Sequence, residues 1–252
     1  DDLTERNRVM AHEFGQLIHH EIDPNEYIWV DEGTAGLSEF INFGASPELE
    51  YFSNSWTSNS NTSLRWWDGR DSDRGSSFLF MSYLADKLGG PTSIRQLVSD
   101  GSLGGNGIEN LARNPGPGST PIGTSMSEIF ANFSAAVTLD SAQGAFGFSE
   151  IDLVDDCSTG GFCKGTVSVE NDQWSEAWQS SGHSIEGWGL KSFRFTQGDG
   201  YPLSIMVQPD RFGFEGAILS KEDSSGTWTM ERLRIDSNDG KGTGLVHGFG
   251  NT

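Results

Sequence analysis

The sequence predicts an α+β protein, mainly helical in its first part and an antiparallel β-sandwich or jelly-roll in its second. Apolar residues recur at helical spacing from residue 1 to about 140, and apolar and polar residues alternate in short runs after residue 166. Between them lies CSTGGFC, a short segment holding the only two cysteines. The expected division is therefore a helical part over 1–150, a linker over 151–165 with Cys157 and Cys163, and a β-domain over 166–252. At 252 residues, with eight Trp and sixteen Phe, the chain has enough apolar surface for sizeable cores, and 33 Gly point to many turns.

The first helix begins at a D-x-x-E pattern, Asp2 to Glu5, and carries Val9, Met10, Phe14, Leu17 and Ile18 on one broad apolar face. A second is expected from about Asp31 to Phe43, and a third from about Gly75 to Leu88, stopped by Gly89-Gly90-Pro91. Shorter helices are expected at 92–99, 107–113 and 125–138. The polar run SNSWTSNSNTS over 53–63 and NPGPGSTP over 114–121 read as loops. Strands are expected at 166–169, 191–195, 203–207 and 227–230.

Charge narrows the partners. With 36 acidic against 16 basic residues the chain carries a formal charge of −20, a field that repels nucleic-acid phosphates and suits a soluble extracellular protein. No apolar run is long enough to span a membrane. Cys157 and Cys163 could close a short disulfide loop, which would place the chain in an oxidising compartment; two free thiols in a surface turn are the alternative. DSNDGKGTG over 236–244 has a calcium-like set of acidic residues but not EF-hand spacing, so a hairpin turn is the preferred reading over a Ca site. Trp174, Trp178 and Trp188 could stack on sugars, although core packing is the commoner use.

The stretch AHEFGQLIHH over 11–20 carries the chemistry. Residues four apart on a helix share a face about 6 Å apart along the axis, so two side chains at that spacing can hold one metal ion. His12 occupies the first such position, and Glu13 beside it is placed to take a proton from a metal-bound water. Gln16 stands at the second position with a neutral amide oxygen, a poorer zinc ligand than an imidazole nitrogen. His19 lies on His12's face but about 10.5 Å further along the axis, too far to share an ion, and His20 pairs at this spacing with Gln16, not with His12. Downstream, WVDEGTA places Glu32 near the start of the next helix as a third candidate ligand.

Together these residues resemble the gluzincin zinc metallopeptidases, in which HExxH on one helix is completed by a Glu on the next. The chain looks most like secreted bacterial peptidases of the hyicolysin type. The resemblance extends through Gly75-Ser76-Ser77-Phe78-Leu79-Phe80, Tyr83-Leu84 and Gly89-Gly90, and covers about residues 7 to 140. It implies a zincin-like catalytic subdomain, with a sheet expected in a segment upstream of residue 1. It also implies Zn held at His12, Gln16 and Glu32, Glu13 as general base, and a protein or peptide substrate. His19, His20, Asp31 and Glu39 would surround the ligands, and Arg74 and Tyr83 would lie near the transition state. Arg74 stands where relatives would carry an aromatic residue. A catalytically inactive pseudopeptidase, acting as an extracellular binding or structural protein, is the alternative.

Overall fold

The computed structural model describes residues 2–141, 144–153, 167–173, 180–196, 198–211, 213–221 and 226–250. Cys157, Cys163, Trp174 and Trp178 lie outside them, so the disulfide and two of the sugar-stacking candidates fall outside the described residues. The fold mixes seven described helices with antiparallel sheets: α1 Asp2–Ile22, α2 Ile28–Phe43, α3 Pro47–Thr57, α4 Asp71–Leu88, α5 Pro91–Ser99, α6 Gly105–Arg113 and α7 Met126–Leu139, followed by β1 Val169–Gln173, β2 Ser192–Thr196, β3 Leu203–Val207, β4 Ala217–Ser220, β5 Thr229–Arg232, β6 Arg234–Ile235 and β7 Gly242–Val246. No described helix is long and apolar enough to cross a membrane.

The chain packs as two units, one of residues 1–169 with 183–192, the other of 170–182 with 193–252. In the first, α4 is the central helix. Phe78, Leu79, Phe80, Met81, Tyr83 and Leu84 are successive or nearly so, and all are fully buried, so this helix is covered on every side. Phe133 of α7 stacks on Trp56 of α3 at 5.6 Å and meets Phe80 edge-on at 5.1 Å, joining three helices through one ring. Two glycines of the quoted motifs allow close helix approach. A Cβ at Gly75 would lie 1.9 Å from the Phe52 carbonyl oxygen, and one at Gly33 would lie 2.7 Å from that of Ser77.

Helix α3 occupies part of the stretch expected as loop. Ser46 caps it, accepting from the Leu49 N–H, and Pro47 fills its first turn. Its serines fold back on the helix: Ser53 donates to the Leu49 carbonyl and Ser55 to that of Tyr51. Helix α2 starts three residues before the expected Asp31, because burial of Trp29 and Val30 draws the preceding turn into the helix.

Helix α1 is amphipathic in the inverted sense. The apolar side chains that sequence patterning groups on one face look outward: Met10 is 66% exposed, Phe14 62% and Leu17 60%. The face laid on α2 is instead polar or small, with Arg8, His12, Gly15 and His19 making the contacts. Arg8 reaches the C-terminal end of α2 while His19 reaches its first turns, so the two helices run antiparallel.

In the second unit, β3 pairs antiparallel with β7, β7 with β6, and β4 with β5. Ile218 of β4 and Leu233 pack onto Gly244 of β7, where an added Cβ would meet Ile218 at 2.4 Å and Leu233 at 2.6 Å. The absent side chain lets residues of one sheet lie against the strand of another.

Candidate functional site

Three polar contacts join α1 to α2. At one end Arg8 donates to the carbonyls of Phe43, Gly44 and Ala45, which end α2, and faces Glu39 at 3.5 Å. In the middle, His12 Nε2 lies 3.4 Å from Glu32 Oε2. At the other end His19 Nδ1 lies 3.0 Å from Thr34 Oγ1 and 3.2 Å from Asp31 Oδ1. Gly15 sits between, where a Cβ would come 3.5 Å from the Ala35 Cα and 3.3 Å from Ser38. The small residues set the helix spacing and the polar ones set how the helices lie along each other.

His12, Gln16 and Glu32 are brought together. The Gln16 side-chain nitrogen lies 3.4 Å from His12 Nε2. The Gln16 amide also helps hold the Glu32 carboxylate ionised. The pair is polarised. The hydrogen bond to Glu32 raises His12 above its ordinary value, burial opposes this, and the charges of Glu32, Glu13 and Glu39 add to it. Glu32 is lowered chiefly by the hydrogen bond from His12, against its own burial, and then by the charges of His12 and Arg74.

The other candidates divide. Glu13 is exposed on α1 next to His12, and its charge acts on that ring. Arg74 is exposed on α4, with its guanidinium 5.3 Å from the Phe52 ring centroid. Glu39 is buried, accepts from the Ser46 hydroxyl at 2.8 Å and faces Arg8, so it belongs to the end contact and reaches His12 by charge alone. His19 and Asp31 contact each other and Thr34, and His20 is solvent-exposed. Tyr83 is a correction. It is fully buried in the core, its hydroxyl donates to the Ala145 carbonyl at 2.8 Å, and burial pushes its pKa up, so it has no free group to offer a substrate. Trp188 is likewise packed, edge-on to Phe130 at 5.5 Å and beneath Arg65 at 5.2 Å.

The Asp-rich turn closes on itself. Asp236 Oδ1 accepts from the backbone and side chain of Asn238, and Asp239 accepts from the Lys241 backbone and faces its ammonium at 2.6 Å. This is hairpin geometry, with the Lys241 cation already beside the carboxylate.

Sequence reasoning missed Arg8 and Thr34. Arg8 stands four residues before His12 and Thr34 three after Asp31, helical spacings that put each on the face of a named candidate.

The donor set can be tested against zinc. Ligand atoms at about 2.1 Å around a tetrahedral ion lie about 3.4 Å from one another. That is the separation of His12 Nε2 from Glu32 Oε2 and from the Gln16 amide nitrogen. Turning the amide over would present its oxygen in the same place. These two separations are compatible with an ion held by His12 and Glu32, with the Gln16 amide as a weaker partner on His12's side. Among the described residues no group of three or more His, Cys, Asp or Glu side chains is close enough to hold a metal.

No known family profile matches the chain, and no curated protein matches it.

Proposed function

We propose that the chain is a secreted, zinc-dependent metallopeptidase of gluzincin type, with a site weakened by Gln16. The observation that carries this reading is the 3.4 Å approach of His12 Nε2 to Glu32 Oε2 across two antiparallel helices, with the Gln16 amide alongside. His12 and Glu32 would hold the ion, and the Gln16 oxygen would complete the set. Bound zinc lowers the pKa of a water ligand and polarises a peptide carbonyl. Glu13, exposed beside His12, would take the proton from the attacking water and pass it to the leaving amine. The exposed Arg74 guanidinium offers positive charge near the same carboxylate, where the carbonyl oxygen becomes anionic. The acidic composition supports an extracellular setting. The packing of Ile218 and Leu233 on Gly244 supports reading the second unit as a β-sandwich.

Gln16 also favours a second reading, a pseudopeptidase that keeps the fold for binding, because a neutral amide stands where an imidazole would be, 3.4 Å from His12 Nε2. Hydrolysis of a denatured protein substrate with added zinc separates the two. The peptidase reading expects cleavage that is lost in Glu13→Gln and with a chelator. No cleavage by the wild-type chain, together with none after Gln16→His, favours the second reading.

A further inference from the structure

The contacts of α1 with α2 are polar or small, so the polar contacts, with the short 23–27 connection and the close approach at Gly15, set how the helices lie along each other. Arg8 pins one end. We propose that His19, held by Thr34 beside Asp31, is a positioning residue that pins the other end and thereby keeps His12 opposite Glu32. This rests on the reading of His12 and Glu32 as the metal pair.

The placement is specific. Seven residues separate His19 from His12, nearly two helical turns, so both rings project from the same face of α1. The partners of His19 flank Glu32 in α2: Asp31 precedes it and Thr34 follows two residues later. The contact therefore grips the turn of α2 that carries the second ligand.

The hydrogen bond is also exacting. Thr34 donates its hydroxyl proton to the Asp31 carbonyl at 2.9 Å, so its oxygen is left to accept from His19 Nδ1–H at 3.0 Å. Asp31 Oδ1, 3.2 Å from the same nitrogen, has no hydrogen bond of its own and adds charge. His19 is only 2% exposed, so water cannot replace the bond if the register shifts.

The test compares the wild-type chain with His19→Ala, His19→Asn and Thr34→Val. An Asn side chain can place an N–H near the Nδ1 position. Zinc affinity is measured by competition with a chromophoric chelator, well below the unfolding temperature of each variant. The expected result is a 10- to 100-fold loss (order of magnitude) in His19→Ala and Thr34→Val, typical for residues that orient a ligand, with most of it recovered in His19→Asn. Unchanged affinity in His19→Ala, or no recovery in His19→Asn, overturns the proposal. A wild-type chain that binds no zinc removes the metallopeptidase reading alone. The positioning role is then decided on the metal-free protein by the nitrogen and ring-proton NMR signals of His12. A shift in His19→Ala that is restored in His19→Asn supports it, and an unchanged His12 signal overturns it.

Discussion

His12 Nε2 and Glu32 Oε2 lie 3.4 Å apart, one on each of two antiparallel helices, and each stabilises the charged form of the other. The pair is thus a cross-helix ion pair in the metal-free chain, and in the proposed reading it would also chelate a cation. A proton and a metal ion compete for the same imidazole.

That competition gives a pH dependence. His12 is raised above 6.5, so its contribution to stability is fully present below that value and is lost as pH rises through the raised folded value. Glu32 is lowered below 4.5, so its contribution is present above that value and is lost as pH falls through the depressed folded value. In the metal-free protein, denaturant unfolding of wild type and His12→Gln should differ most between pH 4.5 and 6.5, where both contributions are fully present. The gap should narrow as pH rises through the raised His12 value. Zinc affinity should change in the opposite sense, increasing as His12 loses its proton. A stability gap that widens with rising pH contradicts the ion pair.

The outward apolar stripe of α1 makes a second prediction. Met10, Phe14 and Leu17 bury little surface, so replacing each with Ser or Gln should change unfolding free energy by no more than about 0.5 kcal/mol. Urea unfolding of the triple variant checks this. A loss of several kcal/mol would mean the stripe is packed in the folded chain.

Tyr83 supplies a third. Tyr83→Phe removes a buried hydroxyl and leaves the Ala145 carbonyl without that donor, so stability should fall by about 1–2 kcal/mol in denaturant unfolding. Zinc affinity should stay at the wild-type value. A fall in affinity without a fall in stability would return Tyr83 to the site.

Much of the candidate site's arrangement was legible because helical spacing is local. His12, Glu13 and Gln16 share one stretch of chain, and Glu32 was marked by its place near the start of the next helix. Arg8 and Thr34 share a helix face with named candidates, but their contacts were not legible, since their partners lie 31 to 37 and 15 residues away. The direction of α1 was hidden for a related reason. Apolar periodicity identifies a face but not which neighbour it meets, and here Gly15 and the polar staples won the contact with α2. Tyr83 was misplaced because a motif match names a residue without its surroundings, and α4 is buried on every side. Helix α3 was concealed by a Ser- and Asn-rich composition that usually marks loops, and was made stable by the Ser46 cap and by burial of Trp56.

The central claim is that His12, Gln16 and Glu32 form a cation site weakened, not abolished, by the amide. Its most direct test is the zinc content and dissociation constant of the purified wild-type chain beside Gln16→His. The account predicts that both bind one zinc ion, the variant more tightly by at least about tenfold, since an imidazole replaces an amide at one ligand position. Equal affinity in the two forms, or no zinc bound by either, would contradict it.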